Sequence, residues 1–135
     1  MSRTNFEKLH VYRLAEDLAD RVWEIACHWQ SFAKETVGKQ LVRAVDSIGA
    51  DIAEGTGRGT YQDNRRFVRI ARGSLNETKH WLRRAFRRKL LSQLQTEELR
   101  TILDELAPRL NAYLKSIGKP SPKQLTTDHG PRTNT

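Results

Sequence analysis

The sequence predicts an all-α fold, an antiparallel up-down four-helix bundle, and three observations predict it. Apolar residues recur at alternating steps of three and four in four separate segments, the spacing that gathers side chains on one face of a helix. No segment reads as a strand. The breaks between segments are short, and short connections favour antiparallel neighbours.

The first helix covers about residues 7–30, with Val11, Ala15, Leu18, Val22, Ile25 and Trp29 as its seam. Residues 31–37 read as a mixed polar linker, and Leu41, Val45, Ile48 and Ile52 mark a second helix at 37–54. Gly55, Gly57 and Gly59 end it, because glycine tolerates the left-handed conformation of a C-terminal cap. A third helix fills 60–90, opened by Thr60 with Asp63 in the spacing of a capping box. Its seam is Phe67, Ala71, Ser74, Thr78, Leu82 and Ala85. Thr96 is the expected N-cap of a fourth helix at 96–117, whose seam is Leu99, Leu103, Leu106, Leu110, Tyr113 and Ile117.

At 135 residues the chain fits one domain, a bundle over 1–118 followed by a polar tail at 119–135. The tail, with Pro120, Pro122 and small polar residues, buries too little apolar area to offset its ordering entropy and reads as disordered or loosely docked. Cys27 has no intrachain disulfide partner and is expected as a small buried thiol, which suits a reducing cytoplasm. No run of about eighteen apolar residues is present to span a membrane, and the polar start lacks the apolar stretch of a signal peptide. The expected location is the cytoplasm.

Charge is concentrated in one place. Between Arg58 and Lys89 lie eleven basic residues and two acids, Asp63 and Glu77, a net +9 in a chain whose total is +8. On a wheel of the third helix, Arg65, Arg66, Arg69, Arg72, Lys79, Arg83, Arg84, Arg87 and Arg88 fall on one half, opposite the apolar residues. Lys89 strays from that half, and Arg58 belongs to the glycine turn. A helix of thirty residues extends about 45 Å, long enough to follow several phosphates. Eight of the nine ridge residues are arginine, which contacts phosphate in bidentate fashion. The ridge therefore points to RNA or DNA backbone as partner. A second reading stays open, in which the face is merely solvated or pairs with Glu16, Asp17, Asp20, Glu24, Glu97, Glu98, Asp104 and Glu105 within or between subunits.

On the first helix Tyr12, Ala19, Trp23 and Ala26 widen the apolar arc to nearly half the wheel. Self-association covers such an excess economically; Trp23 and Trp29 as ordinary core residues explain it equally well.

Ser47-Ile48, Asp51-Ile52-Ala53-Glu54-Gly55, Gly57-Arg58, Phe67 and the block from Ile70 through Gly73, Ser74 and Asn76 to Glu77 resemble the signature of a known bacterial family. Its members are four-helix-bundle proteins encoded in intervening sequences of large-subunit ribosomal RNA genes. They are related to the accessory variability protein of diversity-generating retroelements, a pentameric bundle that binds nucleic acid and a reverse transcriptase. The resemblance, over roughly residues 6–117, implies an up-down bundle, a homopentameric ring and a role without catalysis. Asp51, Glu54, Gly55, Gly57, Arg58, Gly73, Ser74 and Glu77 are then family-motif residues with structural work. Asp51 departs from the pattern, which usually has asparagine there. Asp51 and Glu54 lie near a helix C-terminus, where the macrodipole disfavours acids, so both need partners. Arg58 and Arg72 are the candidates.

Enzymatic readings are weak. Glu77 and His80 have the Glu-x-x-His spacing of di-iron bundles, but no second copy exists. The loop from Gly55 to Gly59 follows a helix and lacks the Gly-Lys-Ser/Thr ending of a phosphate-binding loop. Ser74 and Cys27 lack a base and an orienting group, and His10, His28 and His129 lack metal-ligand spacing. The expectation is no catalytic residue, no metal and no cofactor. Two functions remain: a nucleic-acid-binding accessory protein, possible helper of a reverse transcriptase, or an adaptor oligomer whose basic helix meets an acidic protein surface.

Overall fold

In the computed structural model, which describes residue 6 and residues 9–119, the chain runs α1 (His10–Ala26), a short α2 (Ser31–Ala33), a π-helical turn (Lys34–Gly38), α3 (Lys39–Thr56), α4 (Tyr61–Arg87) and α5 (Gln93–Ser116). No strand occurs among the described residues. The four long helices pack as a helical bundle in which α3 lies against α1 and α4, and α5 lies against α4 and α1. Among the described residues no helix is long and apolar enough to cross a membrane. Residues 120–135, nearly all of the expected tail, and residues 7 and 8 of the expected first helix lie outside the described residues.

Each helix contributes one buried stripe. Val11, Ala15, Leu18, Val22 and Ile25 from α1 meet Leu41, Val45, Ile48 and Ile52 from α3, as the spacing predicts. In α4 Ala71, Thr78, Leu82 and Ala85 are buried as the spacing predicts, but at two positions the next residue enters the core: Val68 and Leu75, where Phe67 and Ser74 were expected. Those two sit at the edge of the stripe, and Ser74 uses its hydroxyl toward α3. In α5 Leu99, Leu106 and Leu110 are buried, as is the C-cap residue Ile117, while Leu103 and Tyr113 are partly so.

The helix ends revise the sequence expectations. The linker expected at 31–37 is helical and leads directly into α3. Nothing there breaks a helix: Val37 is buried and the Thr36 hydroxyl donates to the Phe32 carbonyl at 2.7 Å. α3 passes through Gly55 and ends at Gly57 with φ of −86°, so the expected left-handed glycine cap is absent. Thr60 does cap α4, accepting from the Asp63 N–H at 3.0 Å. α5 begins three residues before the expected start. Ser92 rather than Thr96 is its N-cap, because Gln95 completes a capping box. The α4 C-terminus is a Schellman motif: Leu90 N–H donates to Ala85 O at 2.9 Å and Lys89 N–H to Phe86 O at 3.0 Å. Lys89, at φ of 63°, takes the left-handed position, which is why it leaves the ridge.

Cys27 corrects another expectation. It caps α1 and is exposed, with its thiol donating to the Glu24 carbonyl at 3.4 Å. Trp29 is half-buried and donates its indole N–H to Leu90 O at 3.0 Å, joining the ends of α1 and α4.

Candidate nucleic-acid interface

Burial of Val68, Ala71, Leu75, Thr78, Leu82 and Ala85 orients α4 so that the opposite side faces solvent. Arg66, Arg69, Gly73, His80 and Arg87 are exposed. The ridge has two parts. Arg65, Arg66, Arg69 and Arg72 precede Gly73; Lys79, Arg83, Arg84, Arg87 and Arg88 follow Thr78; no cation lies between them.

The nine cations are not equivalent. Arg65 is half-buried and donates to Ile117 O at 3.0 Å, so it caps the C-terminal end of α5, where a cation complements the dipole. Gly118 beside it has φ of +84°. Arg72 donates to Asn111 Oδ1 at 3.3 Å, and Arg84 is half-buried. Arg66 lies 3.7 Å from Asp63 and stacks over Phe67. Arg69, Lys79, Arg83 and Arg87 are exposed on the helix, and Arg88 is its exposed C-cap residue.

Counter-charge is scarce on this face. Among the described residues, Arg66 with Asp63 is the one ion pair made by the nine. Three of the acids on α1 and α5 are occupied elsewhere: Glu98 at 2.7 Å and Glu24 at 3.7 Å from Arg21, and Glu105 with His10 and Arg109. The His10 hydrogen bond, aided by Arg109, holds the Glu105 carboxyl below the usual range. The Glu98 hydrogen bond pushes the Arg21 guanidinium up.

The family-motif residues gather where α3 meets α4. Glu54 pairs with Arg58 at 3.1 Å, and Arg58 with Arg66 flanks the Phe67 ring, each guanidinium carbon within 5 Å of its centroid (4.8 and 4.6 Å). Arg72 is not the partner of Asp51 or Glu54; it turns to α5 instead. Asp51 receives the Ser74 hydroxyl. Gly55 is buried where the helices are closest: a Cβ there would lie 2.5 Å from Asn64 Oδ1 and 3.2 Å from Asn64 O. Gly57 meets only its own helix, and a Cβ on Gly59 or Gly73 would meet nothing within 4 Å. Glu77 accepts from Trp81 Nε1 at 3.3 Å, and His80 packs edge-on against the Trp81 ring. Among the described residues no group of three His, Cys, Asp or Glu is placed to hold a metal ion.

Of the neighbours that α5 supplies to the ridge, the sequence offered Asp104 as a pairing partner, but Arg100 was missed. Arg100 and Asp104 line a cleft with Lys79 and Arg83. A wheel of α4 alone carries no signal for Arg100.

The family model described as 23S rRNA-intervening sequence protein matches residues 7–112. Among solved structures, the chain is similar to a protein with unknown function from the S23 ribosomal protein family of Bacteroides thetaiotaomicron. The TM-score is 0.68 at 24% identity, covering 78% of this chain and 98% of that one. No curated protein matches the chain.

Proposed function

The chain belongs to the 23S rRNA-intervening sequence protein family, and on that premise we propose that it is a non-enzymatic accessory protein that holds RNA or DNA backbone along α4. The observation that carries this reading is the largely unneutralised ridge: nine cations on α4 and its C-cap with a single ion pair among the described residues. Solvation alone does not require arginine, whereas phosphate recognition uses its planar fork. Arg69, Arg83, Arg87 and Arg88 are the strongest contacts because none of them is in an ion pair among the described residues; Arg65 and Arg72 also fasten α5.

The bundle is of the antiparallel up-down type and assembles as a homo-oligomeric ring, a pentamer by the family resemblance, with a reverse transcriptase as the enzyme assisted. Pairing of His10 with Glu105 and of Arg21 with Glu98 supports the antiparallel course of α1 and α5. Trp23, 60% exposed, supports a further buried face.

One observation favours the adaptor reading. Glu16, Asp20 and Asp46 line a groove between α1 and α3 without a cation among the groove residues. Burial, reinforced by Asp20, pushes the Asp46 carboxyl up. An acidic groove of that kind suits the ridge of a neighbouring copy.

Charge reversal of Arg69 and Arg87 together separates the two. The nucleic-acid reading expects RNA and DNA binding to be lost with helicity and solution mass unchanged. Unchanged binding overturns it, and a loss of oligomer without loss of binding favours the adaptor.

A further inference from the structure

We propose that the cleft between α4 and α5 receives an unstacked base of a single strand whose phosphates follow the α4 cations; the proposal rests on the nucleic-acid reading above. The cleft has a volume of about 380 Å³, inside the roughly 300–1,000 Å³ typical of small-ligand sites. Leu82 and Phe86 of α4, Leu99 and Leu103 of α5, and Leu91 of the connection make it apolar. Lys79, Arg83 and Arg100 are its cations. None of the three is in an ion pair among the described residues.

Two features choose the occupant. Phe86 is 47% exposed although Leu82 and Ala85 beside it are buried, so an aromatic ring is left available at an apolar site. Every base offers a π-face to such a ring, and this is how single strands are held without sequence preference. Duplex bases are already stacked and have no face to give. The second feature is charge. Lys79 and Arg83 on one wall and Arg100 on the other provide a cation for the phosphate on either side of an inserted base. Arg83 also belongs to the C-terminal part of the ridge, which makes cleft and ridge continuous. Asp104, the one acid of the lining, accepts hydrogen bonds only and suits the exocyclic amine of a base.

The test titrates the full chain with short single strands of RNA and of DNA, each carrying a fluorescent purine analogue, and with duplexes of the same sequence. Single strands should bind more tightly than duplexes, with the analogue quenched. Phe86→Ala should weaken single-strand binding about tenfold and abolish the quench. Helicity and duplex affinity should stay unchanged, and Phe86→Trp should behave as the parent. Equal losses on single strand and duplex, or a quench indifferent to Phe86→Ala, overturns the proposal while leaving the ridge reading intact. Absence of binding to either form overturns both. Phe86-dependent capture of an acidic amphipathic peptide, with nucleic-acid binding independent of Phe86, assigns the cleft to a protein and also overturns the proposal.

Discussion

Ser74 of α4 donates its hydroxyl to the Asp51 carboxylate of α3 at 3.3 Å, bridging the two helices at a half-buried position. Burial pushes the Asp51 carboxyl above the usual range, the Ser74 hydrogen bond opposes that, and Glu54 adds to it. A carboxyl whose folded pKa is raised binds more protons in the folded state than in the unfolded one. Its contribution is therefore most favourable at low pH and is lost as pH climbs from the ordinary carboxylate value through the raised one.

Asp51→Asn removes that loss and keeps an oxygen for Ser74. The variant should be more stable at neutral pH by about 0.5 kcal/mol, the ordinary scale of a partly exposed change. Thermal melts should show the gain shrinking as pH falls below the carboxylate range. A gain independent of pH would refute burial of the charge as its origin.

Gly55 and Gly73 should respond in opposite directions to alanine. At Gly55 a methyl group meets Asn64 and, at 3.1 Å, Phe67 Cβ; overpacking of that kind costs about 1–3 kcal/mol. At Gly73 the methyl meets nothing within 4 Å, and alanine in a helix interior gains about 0.5–1 kcal/mol. Urea denaturation midpoints should move down for the first and up for the second.

Lys89 holds the left-handed position of a Schellman motif that glycine fills without a Cβ penalty. Lys89→Gly should stabilise the α4 end by about 0.5–1 kcal/mol, less than the full left-handed penalty because the unfolded chain gains freedom. Equilibrium unfolding that places the variant below the parent contradicts this.

Salt dependence measures the ridge directly. On single strands, each phosphate contact contributes about 0.7 to the slope of log affinity against log salt. Neutralising Arg69 and Arg87 as glutamine should lower that slope by about 1.4. Arg72→Gln should lower it less and cost stability, because its guanidinium also holds Asn111. Identical slopes in all variants would place the nucleic acid elsewhere.

How far the sequence reads can be seen residue by residue. The α1 and α3 seams were legible because each helix buries one stripe and apolar spacing records it. The Thr60 cap was legible because it is a bond between near neighbours in the chain. The choice of Val68 over Phe67 in α4 was not, since these are adjacent apolar residues and only packing chooses between them, whereas Ala71, Thr78, Leu82 and Ala85 are buried as expected. Nor was the start of α5, where Ser92 and Thr96 are both competent caps and Gln95 decides.

The sequence by itself determined an all-helical chain with its charge on one helix, because periodicity and composition are properties of segments. Tertiary structure alone decided which of those charges are uncommitted. It turned Arg65 and Arg72 toward α5, paired Glu98 with Arg21 and Glu105 with His10, and brought Phe86 and Arg100 into one cleft. The reason is that a charge or a ring is neutralised or left available by what lies across from it, and residues from different helices meet only when the bundle closes.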